Sequence, residues 1–288
     1  MEYFTSYDGT TLAYRVLHGG GPPLICVPGG PGRAAAYLGD LGGLDAHRTL
    51  VLPDTRGTGS SAMPADPTTC RVDRLVADVE ALRRHVGLDT IDLLGHSAGA
   101  GVALLYAAAH PERLHSLVLA TPSFAAIGLP SDTGAEEVLA SRAAEPWYAQ
   151  ALGAYRAVKA ARSFAEAAPH RPAFEPLMYG SWDAAAAAHA AADPVQRSLP
   201  VSEAFYDGYT PDPVALHARL AALRVPVLIL AGERDLWPTA ASAPRAAALF
   251  PDARVVVQAD GGHYPWLDDP AAFASAVAGF LADAGTRL

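Results

Sequence analysis

One stretch constrains this chain more than any other: residues 91–101, reading I-D-L-L-G-H-S-A-G-A-G. A short apolar run (Ile91, Leu93, Leu94) stops at Gly95-His96-Ser97-Ala98-Gly99, and an alanine-rich helical pattern follows. A strand must therefore turn into a helix within a few residues. Glycine at 95 and 99 removes side chains that would clash in so sharp a turn. The turn lifts Ser97 above the sheet edge at the start of the next helix. There, free backbone N–H groups and the helix dipole favour a developing negative charge. The pentapeptide G-x-S-x-G also arises by chance, since both residue types are common. The strand before it and the helix after it give it chemical meaning.

The flanking chain repeats this alternation. The D-G pair at 8–9 reads as a hairpin turn between two half-buried antiparallel strands, 2–7 and 10–17. Residues 24–27 and 49–52 are short apolar runs of the kind buried on both faces of a sheet. The first ends in Pro28-Gly29-Gly30-Pro31-Gly32, and the second in Asp54-Thr55-Arg56-Gly57-Thr58-Gly59-Ser60. Asp54 and Arg56 read as structural, because short Asp/Arg/Gly/Ser loops satisfy one another's backbone groups. Val72, Leu75, Val76, Val79, Leu82 and Val86 share one face of a helix over 71–86, with Gly87 as its C-terminal cap. After the elbow helix, Pro111 marks a break and 117–120 is another buried strand. Strands alternating with helices predict an α/β fold with a mostly parallel sheet and helices on both faces.

That pattern stops at Thr121-Pro122. From there to about residue 213 the chain offers helix-like stretches (136–142, 147–161, 184–192) and many aromatic residues, but no buried strand. We read 122–212 as a helical cap inserted between two parts of one core, 1–121 and 213–288. The aromatics fit the cap's own core before a substrate cage. The core resumes at 225–230, continues through a helix over 240–250 and a strand over 254–257, and closes with a helix over 270–282.

Three residues fall just past strand ends: Ser97, Asp235 in Gly232-Glu233-Arg234-Asp235, and His263 in Gly262-His263-Tyr264-Pro265-Trp266. In open α/β sheets the carboxyl ends of the strands form the functional edge. The order Ser, acid, His suits a hydroxyl nucleophile, a base that takes its proton and a carboxylate that holds the base. Asp260 is a rival acid, but it precedes the histidine within the same loop. His96 reads as structural. The Ala98 N–H and an N–H of the Gly29-Gly30 loop, assigned to Gly30, are the expected oxyanion donors.

These segments resemble the proline iminopeptidase branch of the α/β-hydrolases across essentially the whole core. The matching motifs are Gly29-Gly30-Pro31-Gly32, Asp54-x-Arg56-Gly57-x-Gly59-Ser60, Gly95-His96-Ser97-Ala98-Gly99 and the two segments holding Asp235 and His263. The resemblance implies a Ser97-Asp235-His263 serine hydrolase that releases an N-terminal residue from peptides through an acyl-enzyme. It also implies a cap glutamate for the substrate's α-ammonium, for which Glu203 in Ser202-Glu203-Ala204-Phe205-Tyr206 is the nearest match. Two departures bear on the pocket. Pro28 stands where the family has histidine, and Ala98-Gly99-Ala100 replaces an aromatic residue and a second glycine.

The alternatives are a hydrolase of a small ester, lactone or amide lacking a free amine, and a non-catalytic ligand-binding relative. No H-E-x-x-H, clustered Cys/His or phosphate-loop pattern is present, so neither a metal nor another cofactor is expected. The formal charge is −9 without a Lys/Arg run, which argues against nucleic acid or an anionic membrane as partner and leaves a small molecule or short peptide. Two cysteines, Cys26 and Cys70, do not suggest a stapled secreted fold. No signal-like or membrane-length apolar segment is evident, so a soluble cytoplasmic protein is expected. Oligomeric state is not legible in the sequence.

Overall fold

The computed structural model describes residues 1–286. Its strands are β1 (Glu2–Thr5), β2 (Thr11–Leu17), β3 (Pro23–Val27), β4 (Thr49–Pro53), β5 (Ile91–His96), β6 (Leu114–Ala120), β7 (Val227–Gly232) and β8 (Ala253–Gln258). They form one eight-stranded sheet in the order β1-β2-β4-β3-β5-β6-β7-β8. From β4 through β8 every neighbouring pair is parallel. The leading hairpin pairs antiparallel, and β2 joins it to β4. β5 and β7 are buried along their whole length: β7 is accordingly an unbroken apolar run, whereas β5 also buries Asp92, which pairs with Arg48 and accepts from Ser116 Oγ at 2.6 Å. β8 lies at the edge, and its side chains are largely half-exposed.

Two apolar clusters cover the sheet. Helices α1 (Leu75–His85) and α2 (Ala98–Ala109) lie in one, with Val79 and Leu104 against Ile25, Leu93 and Ile229. The helix Pro270–Gly285 belongs to the other, where Phe273 and Val277 join Leu24, Leu94 and Leu228. Between β6 and β7 the chain is helical. It includes α3 (Ala135–Ser141), α4 (Tyr148–Ala160), the helix Ala184–Ala191 and several shorter turns. Among the described residues, no named strand interrupts this inserted region. Its aromatics divide between two uses. Tyr155 and Phe174 stack with centroids 6.2 Å apart inside it, and Phe164, Phe174 and Tyr206 line a cavity.

Two helices are shorter than their periodicity predicts. Pro67–Cys70 forms a separate 3-10 turn capped by Asp66, and α1 begins only at Leu75. The stretch expected over 240–250 is a 3-10 turn followed by the short helix Ala243–Ala247. Both cysteines are buried and free, and burial pushes the Cys70 thiol up to about 11.

Arg56 is fully buried, and its environment explains the Asp/Arg/Gly loop. Its Nε donates to Asp78 Oδ2 at 2.6 Å, on α1. Its other nitrogens reach Asp8, Thr10 and Ser6 of the leading hairpin and Thr69 of the 3-10 turn. Asp54 serves the same loop, accepting the Ala35 N–H at 2.8 Å and the Ser60 N–H at 2.9 Å. Neither residue lines the Ser97 cavity.

Candidate active site

Ser97 sits between β5 and α2 with φ 53° and ψ −120°. That conformation is uncommon for a residue with a side chain and is held by close packing around it. A Cβ at Gly95 would lie 2.6 Å from the Ala100 Cα, and one at Gly99 would lie 2.4 Å from the Pro28 carbonyl oxygen. Both positions therefore require glycine. The Ser97 hydroxyl stands at the first turn of α2, where N–H groups lack helical partners.

The structure brings the three strand-end residues together. His263 Nε2 lies 2.9 Å from Ser97 Oγ, and its Nδ1 lies 2.8 Å from Asp235 Oδ2. Asp235 is wholly buried, and its other oxygen accepts the Trp237 N–H at 2.9 Å. A carboxylate can only accept, so His263 Nδ1 carries the proton and Nε2 is free to accept from Ser97. The rival, Asp260, is exposed and pairs with Arg234 instead. The His263 backbone is held on both sides. Its N–H donates to the Met178 carbonyl at 2.7 Å, and its carbonyl accepts from Thr121 Oγ1 at 2.9 Å.

His96 does not face the cavity as a reacting group. Its Nε2 lies 2.9 Å from the His263 carbonyl oxygen, and its Nδ1 lies 2.6 Å from Tyr37 Oη. Burial, with His263 close by, pushes its pKa well below the usual range, so the ring is neutral. The carbonyl can only accept, so Nε2 donates to it and Nδ1 accepts the Tyr37 proton. Tyr37 Oη in turn accepts the Gly29 N–H at 2.6 Å. One ordered chain of hydrogen bonds thus ties the glycine loop after β3 to the loop that carries His263. Gly29 donates to Tyr37, and Gly30 and Ala98 both line the cavity. Sequence reading missed Tyr37, which acts across the fold rather than within a motif.

Tyr37→Phe removes a buried acceptor from Gly29 and a donor from His96. We expect it to cost about 1–3 kcal/mol of stability, the usual penalty for stranded polar groups. The turnover number should fall more than the Michaelis constant rises. Unchanged melting and kinetics would show that the relay positions nothing.

A cavity of about 630 Å³ opens over Ser97 and His263. Phe164, Phe174, Met178 and Trp237 make an apolar part of its wall, and Ser123, Tyr206, Glu203 and Asp207 contribute polar groups. Glu203 reaches this cavity, but its Oε1 accepts the Ala165 N–H at 2.8 Å. Arg33, Arg162, Arg171 and Arg197 also line it, and all but Arg162 are backed by Glu175 and Asp193. Among the described residues no group of His, Cys, Asp and Glu could hold a metal ion. A hydroxyl, an imidazole and a buried carboxylate in this order can activate an oxygen nucleophile by general-base catalysis.

A family model for the alpha/beta hydrolase fold matches residues 22–270. The chain is an α/β-hydrolase. Over 127 residues this hydrolase is 36% identical to a proline iminopeptidase of Heyndrickxia coagulans, a match covering 43% of this chain and 44% of that one. It is 37% identical over 103 residues to a mouse (lyso)-N-acylphosphatidylethanolamine lipase, covering 35% of this chain and 30% of that one. The hydrolase thus spans less than half the length of the curated relatives it matches. A solved structure of a putative aryl esterase from Burkholderia cenocepacia superposes with a TM-score of 0.75 at 25% identity, covering 99% of both chains. No helix of the hydrolase is long and apolar enough to cross a membrane.

Proposed function

We propose that this α/β-hydrolase is a cofactor-free serine hydrolase working through an acyl-enzyme. The observation that carries the reading is the continuous hydrogen-bonded line Ser97–His263–Asp235, at 2.9 and 2.8 Å, at the floor of a cavity large enough for a small substrate. Ser97 Oγ attacks the scissile carbonyl while His263 Nε2 takes its proton. Asp235 holds the ring through Nδ1–H and stabilises the imidazolium. The oxyanion is met by the N–H groups of Ala98 and Gly30. As the intermediate collapses, His263 returns the proton to the leaving amine or alcohol. Water, activated by the same imidazole, then attacks the acyl-enzyme, and the acid leaves with Ser97 restored.

The family resemblance favours an acyl part that is the N-terminal residue of a short peptide. In that reading Glu203 meets the α-ammonium from the cavity wall. A second reading, a small ester, lactone or amide without a free amine, draws on two observations. Glu203 is already hydrogen-bonded to Ala165. Four arginines line the cavity, and three of them, Arg33, Arg171 and Arg197, share two carboxylates, with Arg171 Nε lacking a hydrogen bond and lying 3.8 Å from Asp193, so this part of the wall does not favour a cation.

Turnover of a proline arylamide, an alanine arylamide and a short-chain nitrophenyl ester, with Glu203→Gln beside the unaltered protein, separates the two. We expect Glu203→Gln to lower arylamide turnover about tenfold or more, the size of a lost charge-assisted contact, and to spare the ester. Ester turnover with no arylamide release in either protein would establish the second reading. Failure of Ser97 to react with a fluorophosphonate would leave only ligand binding.

A further inference from the structure

The mechanism above leaves one buried polar group in the cavity unused. Tyr206 Oη lines the cavity, is shielded from solvent and has no hydrogen-bond partner. An unpaired buried hydroxyl is costly, so such a group calls for an explanation. Ser123 is its polar neighbour: its side chain interacts with the Tyr206 hydroxyl and opposes part of the rise from burial, but the contact falls outside ordinary hydrogen-bond geometry. Burial pushes the Tyr206 phenol up to about 12, so it keeps its proton. Ser123 Oγ accepts the Ala125 N–H at 3.5 Å, which leaves its own proton to give. Two donors thus face one space.

Their position is fixed. The Phe205 carbonyl accepts the Val72 N–H at 2.9 Å, and Tyr209 Oη donates to the Ala126 carbonyl at 2.8 Å. The segment carrying Tyr206 is therefore tied on both sides. Ser123 is tied to the elbow itself, its N–H donating to the Ser97 carbonyl at 2.9 Å. A Cβ at Gly101 would lie 3.5 Å from Tyr206 Oη. Gly101 is three residues past Ala98 on α2, which sets the phenol beside the start of the elbow helix. A methyl at 101 would crowd the Ala126 Cβ at 3.0 Å and touch Tyr206 Oη at ordinary contact distance.

The cavity has two sides. Tyr206 packs with the α2 cluster, whereas Tyr264, Met178, Phe174 and Trp237, the surroundings of His263, belong to the opposite cluster. The leaving group must depart on the His263 side, because His263 gives it the proton. The acyl group is then directed to the α2 side. We propose that Tyr206 and Ser123 form a polar subsite for the acyl group, one that selects acyl chains bearing an oxygen a few bonds beyond the scissile carbonyl. The proposal rests on the serine-hydrolase reading and adds the chemistry of the acyl part. A site built to hydrogen-bond a substrate oxygen discriminates strongly against an analogue that lacks it.

The test compares 4-nitrophenyl esters of 3-methoxypropanoic and pentanoic acids, two chains of equal length that differ by oxygen in place of a methylene. The ratio of their kcat/KM values is measured for the unaltered protein and for Tyr206→Phe, so that intrinsic reactivity cancels. We expect the ratio to fall about tenfold in Tyr206→Phe, the size of one hydrogen bond. Ser123→Ala should move the ratio in the same direction, which guards against a folding defect in either variant. An unchanged ratio in both variants, with Ser97-dependent turnover intact, overturns the subsite and spares the hydrolase reading. Absence of Ser97-dependent turnover of either ester sinks that reading and the subsite with it.

Discussion

Ser97→Ala should lower turnover of a nitrophenyl ester by about 10⁶-fold, to the residual rate that binding and oxyanion contacts alone provide. Asp235→Asn should cost about 10⁴-fold, because an amide at that place favours the wrong tautomer of His263. The two losses should not add. Once Ser97 is gone, His263 and Asp235 have no nucleophile to serve, so Ser97→Ala/Asp235→Asn should be no slower than Ser97→Ala alone. The contact at 97 is made at the cavity floor and not in the core, so Ser97→Ala should melt within about 0.5 kcal/mol of the unaltered protein. Progress curves at high enzyme concentration, checked by active-site titration, measure each ratio. Full activity in Ser97→Ala would end the acyl-enzyme mechanism. Full activity in Asp235→Asn would mean that some other group orients His263, and Asp260 would have to be tested despite its pairing with Arg234.

The second large effect is on stability. Asp78→Ala removes the α1 carboxylate from the fully buried Arg56 and leaves Asp8, itself partly exposed, as its remaining acidic partner. Breaking a buried pair by removing one member typically costs about 3–5 kcal/mol, and we expect a loss of that size in denaturant titrations. Burial raises the Asp78 carboxyl against the pull of Arg56, so the pair is held at a desolvation cost. Replacing both members by apolar residues of similar volume, as in Arg56→Met/Asp78→Leu, should therefore recover most of the loss. Asp8, Thr10 and Ser6 also lean on Arg56, so recovery should be incomplete. A loss below about 1 kcal/mol in Asp78→Ala would show that Asp8 alone satisfies the guanidinium.

Much of the site was legible because its parts are local. Gly95, Ser97 and Gly99 announce a turn whose geometry excludes other residues, and the packing around them bears this out. Asp235 and His263 could be read because each follows a strand of a parallel sheet, and parallel order places such ends along one edge. The contacts that were not legible are those made across the fold. Tyr37 lies in the 3-10 turn Ala35–Leu38, and nothing there signals that its hydroxyl meets His96, 59 residues on. The Arg56–Asp78 bond joins a loop to a helix 22 residues away. Glu203 shows the same limit from the other side. Its motif was visible, but its hydrogen bond to Ala165 depends on how the inserted helices pack. Helix lengths failed locally: the helix expected over 71–86 begins only at Leu75 because Arg71 is extended, and the one over 240–250 divides before Pro244 into a 3-10 turn and a shorter helix.

The bond from the His263 N–H to the Met178 carbonyl has a thermal consequence. Met178 belongs to the inserted helical region, so the imidazole's backbone is braced by a part of the chain outside the sheet. Segments with fewer buried contacts open before the central strands do. Gentle warming that loosens the insertion would let the imidazole drift while circular dichroism still reports an intact sheet. Inactivation would then run ahead of unfolding, and the interval between the two temperatures would measure how firmly the insertion is seated.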